Sequence, residues 1–412
     1  MTSVRRTRLP LAALMGANAV SFVGNVLTSI AVPWFVLQTT GSATQMGITA
    51  FFTALPIVVA SFFGGAVVDR LGFRYTSIFA DVTSGAVVAV IPLLYHTVGL
   101  AFWQLLVLVL LRGLCNAPGS TAREALAPDL ADLAGVRLER AITMFEAIQR
   151  GSVLIGAPLG GVLIGLLTPS NVLWGDAASF VVSAVLVWLM VPAPTLRPRD
   201  DTPRRYLAQL IEGLRYIRSD RLILTIVSTV MITNLLDAAL GDVVIPVYVK
   251  RIFGSALDLG LIDAAFGLGA IVGTVLFLIY GHTLAKRPTL IIAFTLVGMR
   301  AWILASYPSL PLILAAMTVL GLAVAPVNPI LMTAGYQRIP LELRARVLGA
   351  LTAGVFAGIP LGGLLGGFLI AVLGMRAALI LIGTCYVLTT LSLLFNRASK
   401  ELDVPQSVQR SA

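Results

Sequence analysis

Apolar runs of about twenty residues recur along the whole chain, separated by short polar or charged stretches. A helix rising ~1.5 Å per residue needs about 20 such residues to cross the ~30 Å hydrocarbon layer of a bilayer. Windows of that size predict twelve spans, near 11–37, 45–67, 75–95, 100–122, 142–167, 171–191, 222–249, 257–281, 288–306, 310–334, 346–372 and 377–396. The pattern therefore predicts an all-α polytopic membrane protein. Its expected layout is a six-helix bundle over 1–191, a linker over 192–221, a second six-helix bundle over 222–396 and a polar tail over 397–412. The linker opens on Pro192, Pro194 and Pro198, then places apolar residues at helical spacing from Tyr206 to Ile217 beside Glu212, Arg215 and Arg218. That combination predicts a short amphipathic helix lying on the membrane surface. A second surface helix is expected over 123–140, where Arg123, Glu124, Asp129, Asp132, Arg137, Glu139 and Arg140 gather.

The two halves are copies. Pro33, Val36, Gly41, Ser42, Ala43 and Gly47 recur 213 positions later as Pro246, Val249, Gly254, Ser255, Ala256 and Gly260. Gly113, Leu114, Ala117 and Pro118 recur as Gly321, Leu322, Ala325 and Pro326 at an offset of 208. Gly156, Pro158, Gly160 and Gly161 recur as Gly358, Pro360, Gly362 and Gly363 at an offset of 202. The matches keep their order, so the repeat is parallel, and in a membrane chain such a repeat points to a transporter with its site between the copies. The glycines fall at three-to-five-residue spacing in apolar helices, which reads first as close helix packing, with Pro158 and Pro360 bending the helices there.

Composition agrees with lipid as the solvent: 58% of residues are hydrophobic and only 12% charged, about half the charge that a soluble domain carries. The net charge of +10 is concentrated in alternate loops. Arg5, Arg6, Arg8, Arg70, Arg74, the arginines of the linker, Lys286, Arg287, Arg338, Arg344 and Arg346 all fall on one side, which the positive-inside rule makes cytoplasmic, with both termini. The basic residues thus mark topology and contact with membrane lipids, and not a nucleic-acid partner. Cys115 and Cys385 sit in apolar runs, and His96 and His282 are far apart, so neither a disulfide framework nor a metal site is expected. No phosphate-binding loop and no nucleophile–base constellation is present, so the sequence predicts neither an enzyme nor a bound cofactor.

The turn after the second span reads Gly65-Ala66-Val67-Val68-Asp69-Arg70-Leu71-Gly72-Phe73-Arg74. This resembles the loop signature of the major facilitator superfamily, and only the basic residue, Arg287, survives in the second copy. Asp176-Ala-Ala-Ser-Phe180, Glu212-Gly-Leu-Arg215 and Pro340 through Arg346 narrow the resemblance to the macrolide-efflux and enterobactin-exporter branch, although Gly156-Ala157-Pro158 stands where that branch has Gly-Pro. The resemblance implies two pseudo-symmetric bundles that alternate access, proton antiport, a small-molecule cargo, and a cytoplasmic gate built on Gly65, Asp69, Arg70, Gly72 and Arg74. It also implies a multi-pass protein of a bacterial cytoplasmic membrane, expected to work as a monomer.

A charge near the bilayer centre costs about 2.5–3.5 kcal/mol even on the mild insertion scale, so each intramembrane ion needs a reason. Asp237, Glu146, Arg112 and Asp81 are the candidates for proton coupling, and Arg112 resembles the superfamily's fourth-span arginine. Arg112 is expected to gather Asp81, Glu146 and Arg150 into one mixed-charge cluster, whether structural or coupling. Arg300 is expected to snorkel to the outer interface, the alternative being a pair with one of the seventh-span acids. The polar residues Asn25, Asn234, Asp242 and Asn328 are candidates for the cargo cavity, and aromatic residues such as Trp34, Phe52, Tyr248 and Phe266 for lipid contact or its apolar lining. Efflux of a small amphiphilic molecule is the preferred reading; an importer or uniporter, or a non-transporting sensor on the same fold, stays open.

Overall fold

The computed structural model describes residues 7–192, 203–340 and 343–403, with the side chains of 60–71, 203–210, 345, 397 and 403 left aside. Among these residues the chain is helical throughout: α1 (Leu9–Thr40), α2 (Ala43–Leu71), α3 (Phe73–Thr97), α4 (Phe102–Ala134), α5 (Leu138–Leu167), α6 (Pro169–Met190), α7 (Pro203–Ser219) and α8 (Arg221–Ala238). After a π-helical stretch over Ala239–Val244 come α9 (Ile245–Ile252), α10 (Ala256–Tyr280), α11 (Lys286–Ala305), α12 (Leu310–Val324) and α13 (Val327–Arg338). The chain then forms α14 (Arg344–Phe356), α15 (Ile359–Leu373) and α16 (Met375–Phe395). Among the described residues, eleven helices or joined helix pairs are long and apolar enough to cross a membrane, and α2 contributes a shorter apolar stretch, Ala43–Val59. The interruptions fall at the expected breakers. The π-helical stretch contains Gly241 and precedes Pro246, Pro326 separates α12 from α13, and Pro360 follows the turn between α14 and α15.

The repeat is visible in backbone geometry. α1 ends on Gly41 at φ 63°, and Gly254 before α10 takes φ 73°, left-handed values at which a side chain is strained. At the start of α6 and α16 stand Thr168 (φ 98°, ψ 150°) and Gly374 (φ 80°, ψ 167°), one unusual conformation used twice.

The chain divides into two compact units. Unit 1 comprises Met1–Ser42, Ile48–Asp200 and Val249–Ala264; unit 2 comprises Ala43–Gly47, Asp201–Tyr248 and Ala265–Ala412. The two segments that the sequence repeats, here called corners, are each divided: 33–42 and 249–260 fall in unit 1, 43–47 and 246–248 in unit 2. Within unit 1, α1 packs on α5 and α6, and α3 on α4 and α6. Leu14, Leu126, Leu130, Phe145 and Val187 form a core cluster there. Within unit 2, α8 packs on α15, α11 on α16, and α7 on α14 around Ile217, Ile223, Val347 and Ala350.

The second surface helix expected over 123–140 is not formed. α4 runs unbroken to Ala134, and Ala122, Leu126, Leu130 and Ala134 are buried along one face. Arg123, counted in the sequence as a surface charge, is buried with them because a carboxylate inside the bundle receives it. The linker helix does form: Glu212 pairs with Arg346 at 2.7 Å, and Gly213 lets α7 approach the Arg346 backbone of α14. Asp220 caps α8 through the Leu222 and Ile223 amides and also pairs with Arg338.

The Gly-rich helices each use two faces. In unit 1, Gly156 and Gly160 of α5 meet Val26 and Leu27 of α1, while a Cβ on Gly161 would lie 2.6 Å from the Ala256 carbonyl oxygen at the start of α10. In unit 2, Gly358 and Gly362 of the second copy meet Met231 and Leu235 of α8, while a Cβ on Gly367 would lie 2.5 Å from the Ala43 carbonyl oxygen at the start of α2. Gly363 belongs to that second face, against Gly47. Pro158 lies inside α5, which stays helical across it.

Candidate functional site

Among the described residues, three ion-pair clusters lie inside the spans, and the sequence places each partner in an otherwise apolar helix. The first, in unit 1, is sealed. Arg123 of α4 donates to Asp81 of α3 at 2.6 Å and to Asn18 of α1 at 2.9 Å. Ser183 of α6 donates to the other Asp81 oxygen at 2.7 Å. The side chains of Arg123 and Asp81 are 1% and 0% exposed. Removing one partner of such a pair strands a buried charge, a loss of about 3–5 kcal/mol. Arg123→Met is therefore expected to lower the thermal unfolding midpoint of the detergent-purified protein steeply. Asp81→Leu combined with Arg123→Met should recover much of that loss, because no stranded charge remains. A midpoint for Arg123→Met equal to that of the parent would refute the clamp.

The second cluster, also in unit 1, centres on Arg112 of α4. Arg112 pairs with Asp176 of α6 at 3.0 Å and donates to Asn25 of α1 at 2.6 Å. Thr28 donates to Asp176 at 2.5 Å, and Asn116 reaches Asn25 at 3.4 Å. The Phe180 ring lies 5.7 Å from the guanidinium carbon, within cation–π range. A Cβ on Gly24 would collide with the Ser179 hydroxyl and stand 2.5 Å from the Asp176 carboxylate, so the glycine makes room for both side chains of α6.

The expected gathering of Arg112 with Asp81, Glu146 and Arg150 does not occur. Arg112 and Arg123 stand eleven residues apart, about three turns, on one helix face. Each takes its own carboxylate, and Arg123 takes Asp81. Glu146 and Arg150 are exposed on α5 and pair with no charge of that cluster.

The third cluster is in unit 2. Arg300 of α11 donates to Asp237 of α8 at 2.7 Å, and the Tyr386 hydroxyl of α16 donates to the other carboxylate oxygen at 3.1 Å. The Phe266 ring of α10 covers the guanidinium at 5.6 Å. Arg300 therefore takes the alternative partner and does not snorkel outward: its side chain is 11% exposed, held by a carboxylate and an aromatic face. Asp237 differs from Asp81 and Asp176 in keeping 36% of its side chain exposed.

The remaining predicted residues are dispersed. Asn234 donates to the Val355 carbonyl at 2.9 Å and so ties α8 to α14. Asp242 is exposed in the π-helical stretch and Asn328 is exposed on α13. Of the loop motif, Gly72 turns the chain at φ 75°, and Arg74 donates to the Trp188 carbonyl at 2.6 Å. The side chains of Gly65, Asp69 and Arg70 lie outside the described residues. Arg344 and Arg346 are engaged by the Tyr336 carbonyl and Glu212. Sequence reasoning did not single out Arg123 or Tyr386, and it read Asp176 only as part of a motif. An acid in an apolar run was the available signal for Asp176, and helical spacing from Arg112 was the signal for Arg123.

The model of the Major Facilitator Superfamily matches residues 14–241 and 231–410. The chain is 29% identical to a multidrug efflux pump, Tap, of Mycolicibacterium fortuitum, over 98% of this chain and 99% of that one. It is 28% identical to the enterobactin exporter EntS of Citrobacter koseri, over 72% of this chain and 69% of that one. Among solved structures, the nucleoside transporter NupG superposes with a TM-score of 0.76 at 11% identity, covering 93% of this chain and 98% of its own, which speaks to the fold alone. With a family model spanning both copies of its repeat, the chain is a multi-pass membrane protein and belongs to the Major Facilitator Superfamily.

Proposed function

We propose that the chain exports a small amphiphilic molecule from a bacterial cytoplasm in exchange for protons, by alternating access of its repeated halves. The multidrug efflux pump and the enterobactin exporter among its relatives support the direction and the class of cargo. The observation that carries the coupling is the half-exposed Asp237 held by Arg300 and Tyr386. The ionised carboxylate accepts from both donors. Protonation cancels its charge and leaves the guanidinium, which stays charged at any physiological pH, to the Phe266 face and to whatever enters beside it. Proton and arginine therefore compete for one carboxylate, and an ion pair left partly open inside a span is the place for that exchange.

In this reading Asp176 and Arg112 hold α4 and α6 to α1, while Asn25 and Asn116 offer amides to the cargo. Asp242 and Asn328 remain candidates for its cavity, and Glu146, exposed on α5, is the second candidate proton carrier. The basic end is cytoplasmic, where Gly65, Asp69, Arg70, Gly72 and Arg74 form the gate. Everted membrane vesicles test the proposal. A fluorescent amphiphilic cation should accumulate when an inward-acid gradient is imposed, and adding it should partly collapse that gradient. Equal uptake with and without the gradient would rule out antiport.

A further inference from the structure

At the basic end of unit 2 lies a cavity of about 230 Å³, several times the ~30 Å³ share of one water. It sits where α10 ends, α11 begins and α13 passes. Its walls are apolar at Phe277, Leu284 and Ile330, and its polar groups are His282, Lys286 and Thr333. Lys286 is half-buried there, and its ammonium donates to Gln337 at 3.3 Å. No carboxylate pairs with it among the described residues. An ammonium has three donors, so two remain for another acceptor. The adjacent cation is committed elsewhere: Arg287 donates to the Leu393 and Leu394 carbonyls and to Ser399.

The surroundings identify the acceptor. Large apolar side chains stand exposed on the last turns of α10, with Leu278 79% exposed and Tyr280 59% exposed, and on α13 at Met332 and Tyr336. In a spanning protein such residues face acyl chains, and tyrosines at a span's end sit at headgroup level. A cationic cavity at that level, opening beside an apolar strip, has the chemistry of a phospholipid: an anionic phosphate above and hydrocarbon below.

We infer that this cavity binds the phosphate headgroup of an anionic phospholipid of the cytoplasmic leaflet, with Lys286 as its principal donor and His282 beside it. A soluble phosphate would use the same donors but would gain nothing from the apolar strip, so the occupant is the lipid. The inference rests on the membrane-spanning reading and on the cytoplasmic side of the basic end, and not on Asp237.

The test uses the full chain purified in a neutral detergent, titrated with a fluorescent phosphatidylglycerol and with the matching phosphatidylcholine. The parent protein should prefer phosphatidylglycerol. Lys286→Gln should weaken that binding about five-fold, the effect of one charge at an anionic surface. Lys286→Glu should erase the preference and Lys286→Arg should keep it. Arg215→Gln, on the exposed side of α7, should leave it unchanged. His282→Gln reads the same site where Lys286→Glu does not fold. Undiminished binding by Lys286→Gln would overturn the inference. Competition by free glycerophosphate at lipid-like concentration would overturn it too, by showing a site for soluble anions.

Discussion

Asp237→Asn is expected to abolish gradient-driven transport, by at least ten-fold, while exchange of cargo at equal pH on both sides continues. The carboxamide keeps the shape of the carboxylate and one acceptor oxygen, but it cannot take up or release a proton. Its NH2 group also faces donors, the Arg300 guanidinium and the Tyr386 hydroxyl, which are the groups that now bond the two carboxylate oxygens. Arg300 is left with the Phe266 face and one neutral acceptor. Uphill movement requires that loading and release differ in protonation, so a site frozen in one state permits only exchange. Asp237→Glu, which titrates but reaches further, should keep part of the coupling. Tyr386→Phe removes one donor and not the ion pair, so it should slow transport and preserve the response to the gradient. Paired measurements in everted vesicles, with and without an imposed gradient, separate these cases. Full gradient-driven accumulation by Asp237→Asn would remove it from the mechanism and turn attention to Glu146.

Halves related by a repeat are legible because glycine and proline solve the same backbone problem in both copies. Gly41 and Gly254 take the same left-handed turn, and the glycines of α5 find the same kinds of neighbour as those of α15. Charges were legible as positions and not as pairs. An intramembrane acid must have a partner, but which partner depends on packing between helices distant in sequence: Asp81 with Arg123, Asp176 with Arg112, Asp237 with Arg300. Counting arginines as loop markers hid Arg123, because the inference from charge to solvent fails where a carboxylate receives the charge inside. Tyrosine is common at membrane interfaces, so nothing in the sequence distinguished Tyr386.

The broken symmetry becomes specific in the structure. Asp237 aligns by the repeat with Gly24, and the space beside Gly24 is filled by Ser179 and the Asp176 carboxylate, both from α6. Phe180 and Tyr386 correspond through the matched starts of α6 and α16. Asp176 in unit 1 and Asp237 in unit 2 thus lie between corresponding helices, delivered from opposite sides. Asp176 is sealed, with an aromatic ring near its arginine, whereas Asp237 is half-exposed and bonded to a phenol. That contrast favours Asp237 over Asp176 as the group that exchanges protons.

Gly260→Ala is expected to cost transport as much as loss of the coupling acid, without unfolding the protein. Within unit 1 the start of α10 sits on α5 so closely that a Cβ on Gly260 would collide with the Ala157 carbonyl, 2.7 Å from its carbon. Within unit 2 the start of α2 sits on α15, where a Cβ on Gly47 would lie 2.6 Å from the Gly363 carbonyl oxygen. The obstacle in both places is backbone, which cannot swing aside as a side chain can. Overpacking of this kind costs about 1–3 kcal/mol, and against a two-state equilibrium that shifts populations by about 5–150-fold. In the proposed cycle each corner segment leaves its seat and returns, so the methyl group penalises the seated state. Gly260→Ala and Gly47→Ala should therefore hold the carrier in the opposite state, and the double variant should be more extreme. Gly165→Ala and Gly175→Ala are the controls, since a Cβ at either meets nothing within 4 Å. Distances between spin labels near the two corners, read beside transport in vesicles, distinguish a trapped carrier from a damaged one. Normal transport by Gly260→Ala, or an equal loss in Gly165→Ala, would show that the close approach takes no part in the cycle.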